Sequence, residues 1–397
     1  MADLVTIDEA LASILGRVQV LASEPVPLSD AHGRVLTEPA AAAIDLPPFA
    51  SSAMDGFAVR AADTPGTLRV AGHVAAGKPT TSLLGRGEAI GIATGGLVPD
   101  GADAVVPIEQ VVSSDNSVEI GSDVSVGANV RPRGGDVAAG AELVPAGTRL
   151  TAAHVGALAA AGVSKVVCGR RPLVRVLTTG SELRPLGDPL AAGEIYESNG
   201  LMLEAALSTV GAVVERLPSV PDDEDAHGIA IANGLDADVL VTSGGVSVGP
   251  HDLVRRIERE AGVEEIFWGV AMRPGKPVSF GVRARTLVFG LPGNPVSSLV
   301  AATLFVRPAL LALQGSTHPR PEWATGALAK PVRRAAARDD LLRARFGLIE
   351  DGVTLTPVTG QESHMIARTA TADVLVHIPR GEGRLEAGTS VRYLRLD

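Results

Sequence analysis

The sequence predicts a multi-domain protein of mixed α/β and β architecture, and three observations lead to this fold class. The chain has 397 residues, which exceeds one ordinary hydrophobic core. Strand-like and helix-like runs alternate between residues 171 and 319, whereas residues 46–141 and 320–397 hold short apolar runs separated by glycine and proline. We therefore expect a three-layer αβα domain with a mostly parallel sheet, a separate β-rich domain, a helical linking segment and a C-terminal β domain.

Changes of composition along the chain indicate the extent of each unit. The helical linking domain is expected to combine residues 1–45 with residues 142–170. The β-rich domain is expected at 46–141, the αβα domain at 171–319 and the C-terminal β domain at 320–397.

The first 170 residues begin with helix, turn to β and return to helix. Apolar residues from Ile7 to Leu15 share one face, which predicts an amphipathic helix over residues 7–22. Between residues 46 and 141, turn signals recur every eight to twelve residues, as in an all-β domain. A second helix is predicted over 151–163, with Thr151 as N-cap and Gly162 as the stop.

The alternating segment predicts five strands and four helices. Buried parallel strands are continuous apolar runs, and ligands of such sheets bind beyond the carboxyl ends of the strands. The strands are expected at 174–177, 213–217, 239–242, 278–282 and 287–291, and the helices at 201–210, 224–233, 252–261 and 295–313. After the linker 319–321, further β runs are expected at 353–357, 373–378 and 390–394.

Composition and charge exclude several functional classes. The net charge of −10 argues against a non-specific nucleic-acid binder, which is normally basic. A single cysteine, Cys168, excludes an internal disulfide framework and a Cys-based zinc site. We find no basic-then-apolar leader at the start, and the apolar stretches near 155–163 and 299–306 are too short to cross a bilayer. No membrane partner and a cytoplasmic location are therefore expected.

Three loops within the αβα domain have the properties of anion sites. Residues 242–249 read Thr-Ser-Gly-Gly-Val-Ser-Val-Gly directly after an apolar run, but no Walker motif follows. Residues 273–277 read Arg-Pro-Gly-Lys-Pro, and residues 291–295 read Leu-Pro-Gly-Asn-Pro before a long apolar helix. Glycines that expose backbone N–H groups, hydroxyls, fixed cations and a helix N-terminus all favour a phosphorylated or oxyanionic ligand.

Each loop also has a purely structural interpretation. The first would then be a flexible connector, and Asp252 would complement the dipole of the helix that it begins. If the loop 242–249 binds an anion, Asp252 would instead be suited to bind a Mg²⁺ that lies between its carboxylate and the anion. Arg273 and Lys276 would be solvated surface cations, although two prolines fix where they point, which favours oxyanion binding. Asn294 would be an N-cap, with Pro295 at the first helical position.

Further acid-bearing motifs lie outside these loops. Asp55 follows Ser52-Ala53-Met54, and Asp136 follows Arg133-Gly134-Gly135; in isolation, both are typical of turns. Residues 178–183 carry another glycine turn with a carboxylate, and His364 is a lone histidine, which is more often structural than catalytic.

Taken together, these motifs resemble the molybdopterin molybdenumtransferase family, which includes the E domain of gephyrin. The resemblance covers nearly the whole chain, in order. Its blocks are residues 52–58, Thr94-Gly95 with 101–106 behind it, 133–136, 179–183, the loop 242–249, 274–277 and 291–297.

The resemblance implies an enzyme that inserts molybdate into adenylylated molybdopterin and releases AMP, with Mg²⁺ required. It also implies an elongated homodimer in which the β-rich domain of one subunit completes the site on the αβα domain of the other. A molybdopterin adenylyltransferase is a candidate donor of the substrate, and no nucleic-acid partner is expected.

The family's functional residues are expected at matching positions of this chain. The expected catalytic residues are Asp55, Asp136, Glu182, Asp222, Asp252 and Lys276. The expected substrate-binding residues are Thr94, Ser243, Gly244, Gly245, Ser247, Arg273, Lys276, Pro292, Asn294, Pro295 and Ser363. The expected magnesium ligands are Asp55, Glu182, Asp222 and Asp252.

Three departures from the family pattern bear on these assignments. Arg273 stands where many relatives have lysine, which keeps the charge but changes the hydrogen-bond geometry. Glu362 replaces a glycine beside Ser363, and Ser181 replaces a common aspartate. Two alternatives stay open: a paralogue that inserts tungstate, and a non-catalytic scaffold of the same fold, against which the retained acids and cations argue.

Overall fold

The computed structural model describes residues 4–78, 81–245, 253–350 and 352–396. Within these ranges the predicted fold class is confirmed: an αβα domain, a β-rich domain, a linking segment and a C-terminal β domain are all present.

The αβα domain is built on a six-stranded sheet in which the first four strands are parallel to one another and the fifth and sixth each pair antiparallel with the strand before them. Alternate residues of one strand face opposite layers: Val239 and Val241 enter one core, and Leu240 enters the other. The strands, in spatial order, are Val213–Arg216, Leu173–Thr178, Val239–Ser243, Thr286–Leu291, Ser279–Arg283 and Glu264–Trp268. The last strand was not predicted, because only Phe267 in it is buried and its pattern is that of an edge.

Helices cover both faces of this sheet, as the prediction of three layers requires. The described helices of the domain are Asn199–Ser208, Glu224–Gly234, Leu253–Glu260, Pro295–Ala301 and Arg307–Leu313. The expected helix over 252–261 is present over Leu253–Glu260 among the described residues, and Asp252 lies outside them.

The helical run Pro295–Leu313 is the central helix of the larger core. A π-helical stretch, Ala302–Val306, joins its two α-helical halves. By length and composition alone, this helical run could cross a membrane. The sequence analysis considered only its part at 299–306, which is too short to do so. However, 78% of its apolar window is buried inside the protein, as in a core helix.

The β-rich domain is a second six-stranded sheet. Its core contains Phe57, Leu68, Val106 and Val118. The strands, in spatial order, are Ala104–Pro107, Gly56–Val59, Glu88–Ile92, Gly66–Val74, Ser117–Ile120 and Val111–Ser113. Short pairings at its base are Ser51–Ser52 with Val130–Arg131, and Ala40–Ala41 with Glu142–Val144.

The linking segment forms a small core of its own. The strands Ser23–Pro27 and Lys165–Gly169 pair antiparallel beside the helix Ala152–Ala160. Thr151 caps that helix as predicted, because its side chain accepts a hydrogen bond from the His154 N–H.

The N-terminal helix packs away from the linking segment. It spans Ile7–Leu15 and ends at Gly16, several residues before the predicted end at residue 22. The buried face, with Ile7, Leu11 and Ile14, lies in the larger core of the αβα domain. The first residues of the chain therefore stabilise the domain that begins more than 150 residues later.

The C-terminal domain is a closed five-stranded barrel. Its strands, in order around the ring, are Asp339–Ile349, Gly352–Pro357, Ala324–Leu328, Ser390–Arg395 and Val374–Ile378, and the last pairs again with the first. The short strand Met272–Arg273 of the αβα domain adds to the first barrel strand. A short helix, Ile366–Thr369, and the pair Val332–Arg333 with Arg384–Leu385 complete the domain.

Candidate functional site

A cavity of 760 Å³, here called the main cavity, lies at the carboxyl edge of the parallel strands. Loops that follow three neighbouring strands line it, at the position expected for a ligand of such a sheet. Its lining residues are Thr178, Thr179, Gly180, Glu182, Leu183, Ile195, Tyr196, Glu197, Ser198, Asn199, Asp222, Ser243, Gly244, Gly245, Pro277, Pro292, Gly293, Asn294, Pro295, His364 and Ile366.

The glycine loop after Val239–Ser243 lies against the ends of the two neighbouring strands of the sheet, at Thr179 and Leu291. Gly244 and Gly245 have φ angles of 105° and 64°, which only glycine adopts readily. A Cβ atom on Gly244 would lie 2.6 Å from the Thr179 carbonyl oxygen, so no larger residue fits. The Gly244 N–H donates to the Leu291 carbonyl at 3.1 Å. The sequence analysis expected the backbone N–H groups of this loop to be available to an anion, but this one is already hydrogen-bonded within the protein.

Ser243 is almost fully buried, and its side chain lies within a hydrogen-bonded network. The hydroxyl is 3.3 Å from the Ser298 hydroxyl and 3.4 Å from the Pro292 carbonyl oxygen. Ser243 thus stabilises the cavity wall in this state. Ser247 and Asp252, both predicted site residues, lie outside the described residues.

Asn199 joins the two glycine-bearing loops, and the sequence analysis did not identify it. Its side-chain amide donates to the Ser243 hydroxyl at 3.0 Å and to the Gly293 carbonyl at 2.7 Å. One side chain at the start of a helix therefore sets the spacing between the loops that follow two different strands. The only signal in the sequence is an asparagine next to a predicted helix start, which is too common to identify a function.

Glu182 and Asp222 bring two of the predicted carboxylates to the main cavity. The Ser181 hydroxyl connects their loops, because it accepts from the Asp222 N–H at 3.1 Å and lies 3.4 Å from an Asp222 carboxylate oxygen. Ser181 therefore has a local role even though it replaces a common aspartate of the family pattern.

Pro292, Asn294 and Pro295 form a wall of the main cavity as predicted. Pro295 occupies the first turn of its helix, and Asn294 stands at the N-cap position. However, the Asn294 side chain makes no capping hydrogen bond. The Val296 N–H is not free either, because it donates to the Ser363 carbonyl at 3.1 Å.

A second cavity of 590 Å³, here called the cation cavity, adjoins the main cavity. The two share Pro277, Pro292, Asn294 and His364 as a common wall. The remaining lining residues include the predicted Arg273, Lys276 and Ser363, together with Met272, Pro274, Gly275, Ser297, Arg338, Leu341, Leu342, Gln361 and Glu362.

The Arg-Pro-Gly-Lys-Pro loop lies at the carboxyl edge of the parallel strands, although it does not follow one of them. It precedes the strand Ser279–Arg283 rather than following a parallel strand. Because that strand is antiparallel to Thr286–Leu291, its beginning lies beside the carboxyl end of its neighbour. Lys276 is exposed and forms no ion pair with the described residues, so its charge remains available to an anion.

Arg273, by contrast, has a protein partner that the sequence analysis missed. Its guanidinium donates to both carboxylate oxygens of Asp340, at 2.7 and 2.6 Å. Asp340 is buried, with 1% of its side chain exposed, and a buried carboxylate requires such a partner. Arg273 therefore anchors its loop to the barrel, and its role in binding an oxyanion stays a prediction.

Asp55, Thr94 and Asp136 lie in or beside the β-rich domain and line neither cavity of the same chain. The Thr94 N–H and hydroxyl donate to one Asp55 oxygen at 2.6 and 3.0 Å. These two bonds hold the pKa of Asp55 below the ordinary aspartate value, so this exposed carboxylate stays ionised. The Asp136 N–H donates to the Leu46 carbonyl.

Of the predicted magnesium ligands, Glu182 and Asp222 therefore share a cavity, Asp55 of the same chain does not join them, and Asp252 lies outside the described residues. Over residues 4–78, 81–245, 253–350 and 352–396, the structure contains no group of three histidine, cysteine or acidic side chains that could hold a metal ion. The physical reason is that Asp55 lies in a different domain from Glu182 and Asp222.

Comparison with known proteins matches three family descriptions along the chain. They are the MoeA N-terminal region (domain I and II) at residues 5–162, the probable molybdopterin binding domain at 175–312, and the MoeA C-terminal region (domain IV) at 325–396. The chain belongs to the molybdopterin molybdenumtransferase family. The resemblance drawn from the sequence motifs is thereby confirmed.

Relatives that carry the family name match over almost their full length. The molybdopterin molybdenumtransferase of Haemophilus influenzae is 33% identical, with 98% of each chain covered. Molybdopterin molybdenumtransferase 2 of Mycobacterium tuberculosis is 38% identical, with 92% of this chain and 93% of the relative covered. The crystal structure of a MoeA protein from Pyrococcus horikoshii superposes with a TM-score of 0.81 at 32% identity, and all of each chain is covered.

Within this family fold, the structure adds two residues to those that the motifs indicated. Arg338 brings a further cation to the cation cavity, from the start of the barrel. His364 lines both cavities and therefore lies at their junction. This position favours a functional role over the structural role that is usual for a lone histidine.

Proposed function

We propose that this protein inserts molybdate into adenylylated molybdopterin and releases AMP, as a step of molybdenum cofactor biosynthesis. The observation that carries the proposal is the common wall of the two cavities. A nucleotide-bearing pterin in the main cavity and an oxyanion beside Lys276 would meet at Pro277, Pro292 and Asn294.

The residues on each side of that wall suit the two substrates. The main cavity has the size of a site for a small organic ligand, and its glycine loop admits close approach of a phosphate. Lys276 supplies a positive charge in a chain whose net charge is −10. Cleavage of a phosphoanhydride depends mainly on alignment and charge neutralisation, which these groups can provide without a protein nucleophile.

The protein thiol is not suited to a role in this chemistry. Cys168 is buried in the linking segment, and burial raises the pKa of its thiol. The sulfur atoms that receive the metal would therefore be those of the pterin dithiolene.

We also infer a requirement for Mg²⁺ in the main cavity. Mg²⁺ is usually held by one or two carboxylates together with substrate phosphates, and Glu182 and Asp222 supply two carboxylates beside the expected phosphate position. When bound, the ion would neutralise phosphate charge. Because the described residues contain no group of three histidine, cysteine or acidic side chains that could hold a metal ion, we expect tight Mg²⁺ binding only when the nucleotide is present.

A homodimer with a shared site would explain the position of Asp55, Thr94 and Asp136. These residues match family motifs but lie outside both cavities of their own chain. We propose that they complete the main cavity of a second copy. We further propose that the protein acts in the cytoplasm and that a molybdopterin adenylyltransferase hands over the substrate.

The activity is tested by AMP release from adenylylated molybdopterin in the presence of Mg²⁺ and molybdate, measured by chromatography. We expect release with the purified protein, and a higher apparent KM for molybdate in Lys276→Ala than in the matched exposed-lysine control Lys330→Ala. Release with tungstate but not molybdate would support the tungstate alternative. No release with either anion would leave the scaffold alternative.

The shared site is tested by mixing two inactive variants. In Asp55→Ala and Asp222→Ala homodimers, every site lacks one carboxylate. If the site is shared, a mixed dimer contains one site with both changes and one intact site, so activity should reappear on mixing. Were both residues to act within one chain, each site of the mixed dimer would lack one carboxylate and no activity would return.

A further inference from the structure

A third cavity of 510 Å³ lies where the linking segment, the long core helix and the barrel meet. We call it the seam cleft. Its lining residues are Gly147, Thr148, Arg149, Val210, Thr303, Arg307, Pro308, Leu311, Ser316, His318, Pro319, Arg320, Pro321, Glu322, Leu394 and Arg395. It shares no lining residue with the main cavity or the cation cavity, so the proposed reaction does not account for it.

The charge of the seam cleft opposes that of the whole protein. Four arginines and one carboxylate, Glu322, are among its described lining residues, whereas the chain as a whole carries a net charge of −10. Arg149, Arg320 and Arg395 form no salt bridge with any carboxylate in the described part of the chain. Arginines that a fold leaves without counter-ions in a concave site attract anions, because the field is focused there.

Two of these arginines are held in place by uncharged groups. Arg149 donates to the carbonyl oxygens of Gly33 at 3.3 Å and Thr209 at 2.5 Å, which orient the guanidinium without neutralising it. The Arg395 guanidinium lies 3.9 Å from the ring centre of Phe346. Fixed guanidinium groups lose little freedom when they bind a ligand, so their arrangement favours binding.

Two backbone segments that border the seam cleft, at Gly147 and Thr317, are joined by a hydrogen bond. The Thr317 N–H, two residues before the interdomain linker 319–321, donates to the Gly147 carbonyl at 3.1 Å and so joins this segment to the loop at 147–149. Gly147 has a φ of 80°, and a Cβ atom there would overlap the Thr317 side chain. The linker that forms one wall of the cleft is therefore fixed to the linking segment.

Apolar residues also line the seam cleft, and we call them its apolar floor. Val210, Pro308, Leu311 and Leu394 lie among the arginines. A site with several guanidinium groups around an apolar floor complements a molecule that carries both a multiply charged oxyanion and an organic body.

We propose that the seam cleft is a second ligand site, which binds a small organic phosphate. The phosphate contacts Arg149, Arg320 and Arg395, and the organic body covers the apolar floor. Because the cleft lining comes from three domains, an occupied cleft also stabilises their arrangement. This inference does not depend on the reaction proposed for the other two cavities.

Binding is tested on the full-length chain by calorimetry, with phenyl phosphate as the probe and with inorganic phosphate for comparison. We expect phenyl phosphate to bind more tightly than inorganic phosphate and to raise the unfolding temperature. Arg320→Glu should weaken phenyl phosphate binding by about tenfold or more, since it replaces a charge-assisted contact with repulsion. Arg320 has no hydrogen bond or ion pair in the described structure, so folding should be unaffected.

Two control variants assign the binding to one cavity. Arg285→Gln removes an exposed arginine that lines none of the three cavities, and Lys276→Ala removes a charge of the cation cavity; both should bind phenyl phosphate like the unaltered protein. The proposal is overturned by absence of binding at millimolar phenyl phosphate, by equal affinity for inorganic phosphate, or by binding that Lys276→Ala abolishes and Arg320→Glu preserves.

Discussion

The bidentate pair between Arg273 and Asp340 predicts that Arg273 acts mainly on stability. In Arg273→Ala the Asp340 carboxylate, 1% exposed, loses two charge-assisted hydrogen bonds and stays buried without a counter-ion. Removal of one partner from a buried ion pair typically costs about 3–5 kcal/mol. We expect a loss of that size in the free energy of unfolding, measured by urea denaturation followed by circular dichroism.

Changes at the partner separate this mechanism from a general effect of losing an arginine. Arg273 is 52% exposed, so in Asp340→Ala its charge can be solvated and the loss should be smaller. In the Asp340→Ala background, Arg273→Ala should remove less than about 1 kcal/mol further, because the carboxylate that needed it is gone. Lys276→Ala is the matched loop control and should leave stability unchanged.

The reasoning would be refuted if Arg273→Ala unfolded at the same urea concentration as the unaltered protein. It would also fail if the loss were as large in the Asp340→Ala background. Either outcome would return Arg273 to the role of a ligand-binding cation, as the sequence first suggested.

Three further predictions concern the walls of the main cavity and the β-rich domain. Asn199→Ala removes both hydrogen bonds between the glycine-bearing loops and should lower kcat/KM for AMP release by up to about 100-fold with unchanged circular dichroism, because small misplacements of bound groups slow reactions strongly. Gly244→Ala forces a Cβ atom against the Thr179 carbonyl at positive φ and should destabilise the protein by about 1–3 kcal/mol, measured by urea denaturation. Thr94→Val removes one hydrogen bond that lowers the pKa of Asp55, so carboxyl NMR titration should give a higher pKa in the variant. Because the folded-state pKa of Asp55 is depressed, its stabilising contribution is present above the unfolded-state pKa and is lost as pH falls through the folded one.

The sequence predicted those parts of the fold that depend on local pattern. Strands such as Val239–Ser243 are buried on both faces and are therefore continuous apolar runs, which the chain displays directly. The strand Glu264–Trp268 escaped prediction because one face of an edge strand is solvated and only Phe267 is buried. The N-terminal helix was found, but its end at Gly16 and its packing partner were not.

The sequence predicted which loops form the site, but it did not predict the contacts between side chains within it. Asn199 lies 44 residues from Ser243 and 94 from Gly293, and a pattern in the chain cannot show which distant groups one amide will join. Arg273 and Asp340 are separated by 67 residues, so the charge was visible but its counter-ion was not. Motifs identify which side chains matter, whereas only the folded chain shows which of them are already paired.

Two of the contacts that attach the barrel to the neighbourhood of the cavities have a consequence for chimaeras. The Ser363 carbonyl accepts from the first turn of the core helix, and Asp340 holds the loop that carries Lys276. An exchange of C-terminal domains between two relatives, joined in the interdomain linker, would replace both contacts at once. Such a hybrid should keep the loop that carries Lys276 in place only when the incoming barrel has an acidic residue opposite Arg273. Because one residue of the ion pair comes from each side of the junction, the pair constrains recombination there.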